Sequence, residues 1–236
     1  MGNFVRIAVG LFAASLLVAC GGGGGGGGGA GSDTSAESVR TALATSNISS
    51  AGYPWSVVVS TPTTQTLYFA PPGILKRWEL PIPVKTKDDA RVVSALNEIE
   101  RQLGKTIFDR TSIAATPDGS VTRGLVASIG THLVIGGGTI CAAPSSVPGT
   151  TQWPNPIATS GGVMSNRLYL NVDAGTCRAD VNMVIDAIAT AMGMASYYPG
   201  RYAESDGIVL SALFWRVLQT MYANPPGTPQ AAITVP

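Results

Sequence analysis

The stretch that decides the fold is Cys177–Met194, which reads C-R-A-D-V-N-M-V-I-D-A-I-A-T-A-M-G-M. Its apolar side chains recur at helical spacing over the longest run in the chain, so we expect a helix over 178–194. Nearly all of its residues are apolar or small, and Asp186 is the one charged residue in its middle. A helix of this composition is expected to be buried, with Asp186 facing a cleft or a partner.

Two further helices and a set of short strands complete the predicted fold. Residues 88–103 place apolar side chains on one stripe, between a capping signal at Thr86–Asp89 and a stop at Gly104. Residues 211–222 repeat this pattern behind the capping residue Ser211. The chain is therefore predicted to be an α+β protein. Strands are predicted at 55–60, 66–70, 77–84, 107–108, 124–129, 132–135 and 167–172, the first two as a hairpin or a pair of edge strands.

The amino terminus predicts export. Residues 1–19 have the charged start and apolar middle of a secretory signal, and the apolar run is shorter than the roughly 20 residues of a membrane-spanning helix. It ends Leu17-Val18-Ala19-Cys20, which resembles the lipobox of bacterial lipoproteins. The resemblance implies cleavage before Cys20 and a diacylglyceryl thioether on its sulfur. It also implies sorting to the outer membrane, since Gly21 rather than Asp follows. An ordinary signal peptide with an incidental cysteine is the alternative.

Residues 20–35 are predicted to be a tether between this anchor and the folded part. Glycine occupies every position from 21 to 29, and such a run loses too much backbone entropy to become ordered. As a flexible coil the tether would span roughly 20 Å, enough to hold the folded part clear of a membrane surface. The expected location is the bacterial cell envelope, facing the periplasm or the cell surface.

The rest of the chain divides into an N-terminal extension at 36–74, one domain at 75–228 and a loose tail at 229–236. About 200 residues suit a single domain. The net charge is +1 and only 12% of the 236 residues are charged, so the chain lacks the basic footprint of a nucleic-acid-binding protein. Residues 142–162 are rich in Pro, Ser, Thr and Gly and predict a long loop.

Cys141 and Cys177 are the cysteines that remain once Cys20 is acylated. An even pair in an oxidising, exported compartment predicts a disulfide bond. It would close a loop of 35 residues and contribute about 3 to 4 kcal/mol in the loop-entropy model. Two free thiols are the alternative.

The order of these elements resembles the catalytic domain of the zincins, and of the metzincins in particular, over residues 75–228. In that family the buried helix carries H-E-x-x-H-x-x-G-x-x-H. The histidines bind zinc, the glutamate activates water, and the glycine lets the chain turn to the third histidine. The resemblance implies a zincin-like α+β fold with a mixed, mostly antiparallel sheet. Helices 88–103 and 178–194 would pack on this sheet, and 211–222 would be the C-terminal helix.

The chain keeps the frame of that motif without its ligands. The three ligand positions hold Asp186, Thr190 and Ser196, the general-base position holds Ala187, and the glycine is kept as Gly193. Hydroxyl groups are poor zinc ligands, and one carboxylate cannot hold the metal alone. We therefore expect no metal, no cofactor and no peptidase activity. The expected partners are the membrane, through the lipid, and a peptide or protein in the residual cleft.

Other interpretations stay open at this point. Asp186 is alternatively a buried carboxylate paired with an arginine or with backbone donors. The same cleft could serve another type of hydrolase, with Asp186, Glu204 or Asp206 as acid–base groups. A structural envelope lipoprotein without any zincin relationship is a third hypothesis. His132, the only histidine, forms no triad pattern with Ser128 and is interpreted as an ordinary strand residue.

Overall fold

The first two strands of the chain form a hairpin. The computed structural model describes residues 33–48, 57–60, 65–68, 73–130, 141–149, 158–174, 179–194, 200–204 and 207–236. Strands β1 (Val57–Ser60) and β2 (Gln65–Tyr68) pair in antiparallel register. The hairpin predicted from this part of the sequence is therefore confirmed.

The main sheet has five strands: β3 (Ile82–Lys85), β4 (Phe108–Asp109), β5 (Gly124–Gly130), β6 (Ala142–Ser145) and β7 (Arg167–Asp173). Their spatial order is β4-β3-β5-β7-β6. The neighbours β4 and β3, β3 and β5, and β5 and β7 are parallel, whereas β6 lies antiparallel to β7 at one edge. The sheet is thus mixed, within the α+β class that the sequence predicts.

The prediction that this sheet is mostly antiparallel is wrong, because three of its four strand pairs are parallel. Parallel neighbours need a crossover connection of a dozen or more residues. The segments 86–107 and 110–123 provide two such connections, and they return the chain to the same end of the sheet. Strand direction is set by these long connections and not by the residues within each strand.

The long loop predicted at 142–162 is also wrong at its start, since Ala142–Ser145 is strand β6. The sequence A-A-P-S contains none of the β-branched or aromatic residues that mark a strand. Proline is tolerated on an edge strand, because every second N–H group of such a strand faces away from the sheet and forms no hydrogen bond with a neighbouring strand. The position of β6 at the sheet edge explains why this sequence is accepted.

The described residues contain four α-helices, and each begins behind a polar capping residue. Oxygens of Asp89, Asp180 and Ser211 accept hydrogen bonds from backbone N–H groups of the first turn, which confirms three predicted helices at slightly different bounds. A hairpin of β8 (Arg201–Glu204) and β9 (Gly207–Leu210) separates the last two helices. The helices are α1 (Ala36–Leu43), α2 (Ala90–Leu103), α3 (Val181–Ala191) and α4 (Ala212–Ala223).

The two faces of the sheet are covered differently. Side chains alternate along each strand, so Leu125 and Leu168 belong to the main core shared with the helices. Val126 and Tyr169 point to the other face and pack in a small cluster that Val121 completes. Helix α3 contacts α2 as well as β6, β7 and β9. The helices therefore lie on one face of the sheet, and α3 is in the middle of that layer.

Both ends of the described chain are built into this core. Residues 32–236 form one compact unit, and α1 packs against α4. The tail at 229–236 is not loose as predicted. Ile233 is buried, the Thr234 N–H donates to Asn224 Oδ1 at 3.0 Å, and Arg40 Nε donates to the Ile233 carbonyl at 3.4 Å. The side chain of Asn224 holds the tail by pairing with its backbone as a residue of a neighbouring strand would. No local sequence pattern predicts this long-range contact.

Candidate functional site

Helix α3 carries the residues that the sequence assigns to the motif. Asp180 caps its first turn, accepting a hydrogen bond from the Met183 N–H at 2.7 Å. Every residue from Val184 to Ala191 is buried. Eight consecutive residues cover all sides of a helix of 3.6 residues per turn, so this part of α3 is enclosed on every side. The burial predicted for the helix is confirmed.

The motif positions on α3 lie inside the protein. Asp186, Ala187 and Thr190 are 6%, 2% and 7% exposed. The Thr190 hydroxyl donates to the Asp186 carbonyl oxygen one turn earlier, at 2.9 Å. This bond to the helix backbone is a common use of threonine within a helix. The hydroxyl at the second ligand position is thus engaged by the helix itself.

Gly193 ends the helical segment in a conformation that requires glycine. Its φ is +115°, a region that side-chain-bearing L residues rarely adopt. A Cβ at this position would lie 2.9 Å from the Lys76 carbonyl oxygen and 3.2 Å from Asn47 Nδ2. Gly193 therefore allows two other segments of the chain to approach the end of α3 closely.

The carboxyl end of α3 is closed by three side chains from other parts of the fold. The last carbonyl groups of a helix have no partner within the helix and must find one elsewhere. Here three consecutive carbonyl oxygens each accept a hydrogen bond from a different buried donor. The pairs are Trp78 Nε1 to Ala191 O at 2.8 Å, Tyr222 Oη to Met192 O at 3.1 Å, and Asn47 Nδ2 to Gly193 O at 2.7 Å.

A buried cation lies beside this arrangement. Lys76 is fully buried, and its ammonium group donates to the carbonyl oxygens of Asn47 at 3.0 Å, Ile48 at 3.1 Å and Ile74 at 3.3 Å. Burial lowers the pKa of Lys76 to about 8, because the charged form loses its hydration. Burial likewise raises the pKa of Tyr222 above its usual range. The charged form of Lys76 is thus disfavoured by burial, whereas Tyr222 is favoured in its neutral form.

Sequence reasoning missed Asn47, Lys76 and Trp78. Asn47 stands in a polar segment and Lys76 in a segment of mixed character, so neither interrupts an apolar pattern. The three residues meet Gly193 only through long-range packing. The sequence signal that bears on them is Gly193 itself, because a glycine at the end of a buried helix indicates a close approach by another segment.

A second concave region lies at the carboxyl ends of β3, β5 and β7. Two adjoining cavities of about 510 and 280 Å³ share Ser128 and Ile129 in their walls. The larger is also lined by 87–89 and Asp118, and the smaller by Asn171. Open sheets with parallel strands commonly bind ligands at this end, between strands whose connections leave in opposite directions. Sequence reasoning did not find this region, because it depends on the strand order.

The charges at this edge neutralise one another. Asp118 forms ion pairs with Lys85 at 3.0 Å and with Lys87 at 2.6 Å, and the contact with Lys87 is the main reason that the pKa of Asp118 lies below its usual value. Asp89 caps α2 and pairs with Arg91 at 2.8 Å, so its carboxylate occupies the helix amino terminus. The carboxylates of Asp118 and Asp89 are thus paired with basic side chains at this edge, and no ligand is assigned to it.

Several predicted site residues lie outside the described residues. Asp186, Ala187 and Thr190 lie on α3, Gly193 follows the end of this helix, and Cys141 precedes β6. The disulfide, the lipid anchor and the third ligand position therefore stay predictions, as does the hydrolase hypothesis with Asp186, Glu204 or Asp206 as acid–base groups. The residues beyond description are Cys20, His132, Cys177, Ser196 and Asp206, together with the side chain of Glu204.

Within the ranges that the structure describes, no three His, Cys, Asp or Glu side chains form a group that could hold a metal ion. No helix in the same ranges is long and apolar enough to cross a membrane. Comparisons with protein-family models, with curated proteins and with solved structures found no match. The geometry around α3 is thus the basis on which a function can be argued.

Proposed function

We propose that this protein is an envelope-anchored lipoprotein whose zincin-like domain has no peptidase activity and binds a peptide or protein at the edge of its main sheet. The observation that carries the proposal is the enclosure of Asp186, Ala187 and Thr190 on α3. A catalytic zinc needs three protein ligands and an open coordination position that water can reach. A helix buried at these positions offers neither.

The chemistry of the three positions supports the same conclusion. Alanine at position 187 provides no group that could take a proton from water. The Thr190 hydroxyl is engaged with the Asp186 carbonyl. The positive φ of Gly193 agrees with the turn that the family's glycine makes, and it supports the relationship independently of the lost ligands. The proposed domain thus retains the framework of the family without its reactive groups.

The anchor in this proposal rests on the sequence Leu17-Val18-Ala19-Cys20 and the glycine tether that follows. A lipid on Cys20 would fix the chain to a membrane, while a span of roughly 20 Å would leave the folded part free to meet a partner. This arrangement suits a protein that binds its partner close to a membrane surface.

Strand β6 supports a peptide or protein as the ligand. It is the last strand in the order of the sheet, and no strand among the described residues pairs with its outer edge. The Asp173 N–H donates to the Cys141 carbonyl directly opposite, so positions 141, 143 and 145 face β7. The N–H of Ala142 and the carbonyl groups of Ala142 and Pro144 consequently face outward. An extended peptide could add to this edge as a further strand.

The test is a binding screen on the full chain with extended peptides, read by fluorescence anisotropy. The Ala142→Pro variant removes the outward N–H, and we expect it to weaken binding by about tenfold, the worth of one well-placed hydrogen bond. The Ala142→Ser variant keeps the N–H and is the matched control. Equal binding by wild type and Ala142→Pro would contradict peptide addition at this edge.

A further inference from the structure

The segment between the tether and the main sheet is a structural part of the core. Helix α1 continues into a π-helical turn, Ala44–Ile48, and we name residues 36–48 the latch. Val39, Leu43 and Ile48 of the latch are at most 1% exposed and belong to the main core. The latch thus packs as tightly as the central strands, although it lies next to the predicted tether in sequence.

Asn47 connects the latch to three other segments with one side chain, one of them through a contact of 3.5 Å between its Nδ2 and Met221 Sδ of α4. Its Nδ2 group donates to the Lys76 carbonyl and to the Gly193 carbonyl, both at 2.7 Å. Its Oδ1 accepts from the Lys76 N–H at 2.9 Å. Asn47 is fully buried, so each of these bonds would leave a buried polar group without a partner if it broke. The amide therefore couples the latch to the end of α3.

Lys76 closes the same connection from the other side. Its ammonium group donates to the carbonyl groups of Asn47 and Ile48, which are the last residues of the latch. The Asn47 side chain thus bonds the backbone at Lys76, and the Lys76 side chain bonds the backbone of the latch. Movement of the latch away from the core would break both sets of bonds together.

Asn47 gives the Gly193 turn a contact that α3 itself does not supply, since the Gly193 and Met194 N–H groups bond to α3 while the Gly193 carbonyl bonds to Asn47. The other two caps, Trp78 and Tyr222, bind the preceding carbonyl groups, and the Gly193 carbonyl is bound by Asn47. The motif resemblance ends three residues later, at Ser196. One of the contacts that hold the start of this turn therefore comes from the segment nearest the tether.

We propose that residues 36–48 act as a conformational latch, which through Asn47 holds the turn at Gly193 and releases it when the amino-terminal segment is pulled from the core. A pull on the tether or a partner that captures α1 would loosen the end of α3. The coupling itself follows from the contacts of Asn47 and Lys76, whereas release by a pull on the tether rests on the anchor in the proposed function.

The test is amide hydrogen exchange of the full chain, measured residue by residue under native conditions, where local opening is visible. Asn47→Asp keeps the shape of the side chain and places an oxygen against the carbonyl groups of Lys76 and Gly193. We expect exchange to rise at least about tenfold both in the latch and at Met192–Met194, given the loss of two buried hydrogen bonds. If this variant does not fold, Asn47→Ser tests the same bonds without adding a charge.

Tyr222→Phe is the matched control, because it removes the neighbouring cap on Met192 from α4 and leaves the latch untouched. We expect it to speed exchange at Met192–Met194 while the latch keeps its wild-type exchange. The proposal is overturned if an Asn47 variant loosens the latch while Met192–Met194 exchange as in the wild type. It is also overturned if Tyr222→Phe loosens the latch as much as the Asn47 variants do, since that result indicates general destabilisation.

Discussion

Raising the pH from 7 to 9.5 is expected to stabilise the fold through Lys76. The pKa of Lys76 is about 8 in the folded protein, against 10.5 for an ordinary lysine. Between these values the unfolded chain binds more protons than the folded one, so the free energy of unfolding rises with pH. Integrating over this window gives a gain of about 2 kcal/mol. The physical cause is the neutralisation of a buried ammonium group, whose charged form has lost hydration on folding.

Urea unfolding of the wild type and of Lys76→Met at pH 7, 8, 9 and 9.5 measures this gain. We expect the difference between the two proteins to change with pH by about 2 kcal/mol, because Lys76→Met removes the group whose pKa is lowered by burial. Staying below pH 10 keeps the ionisation of tyrosine, including Tyr222, out of the comparison. A wild-type free energy of unfolding that stays level or falls relative to Lys76→Met would refute the reasoning.

Three further outcomes are expected. Gly193→Ala should lower the free energy of unfolding by about 3 kcal/mol, because the new Cβ would combine a positive φ with overlap of backbone atoms. Gly104→Ala, where the Cβ would meet open space, should lower it by about 1 kcal/mol. Urea unfolding measures both values, and equal losses would contradict the close approach at Gly193. Mass spectrometry of the envelope fraction should find a lipid on Cys20, and an unmodified thiol there would exclude the anchor. Peptide mapping without reductant should find Cys141 joined to Cys177, and two alkylated thiols would exclude the disulfide.

The helices were predictable because their signals are local. Asp89 and Ser211 stand at helix starts, Gly104 stands at a helix end with φ +65°, and apolar residues recur at helical spacing between them. The extent of burial of α3 followed from its composition. Each of these features can be recognised within one or two turns of sequence.

The sheet and the latch were not predictable in the same way. Parallel pairing follows from where long connections return the chain, and β6 has a sequence that only an edge position accepts. Asn47 and Gly193 are 146 residues apart and meet through a single hydrogen bond. An isolated asparagine in a polar segment carries no sign of its distant partner, so the closure of α3 emerges only from the three-dimensional packing.

The measurement that tests the central claim most directly is the zinc content of the purified full chain, together with its chelator-sensitive cleavage of unfolded protein substrates. The enclosure of Asp186, Ala187 and Thr190 predicts zinc at background level after dialysis and no cleavage that a chelator abolishes. Stoichiometric zinc, or proteolysis that disappears with a chelator and returns with zinc, would contradict a non-catalytic domain.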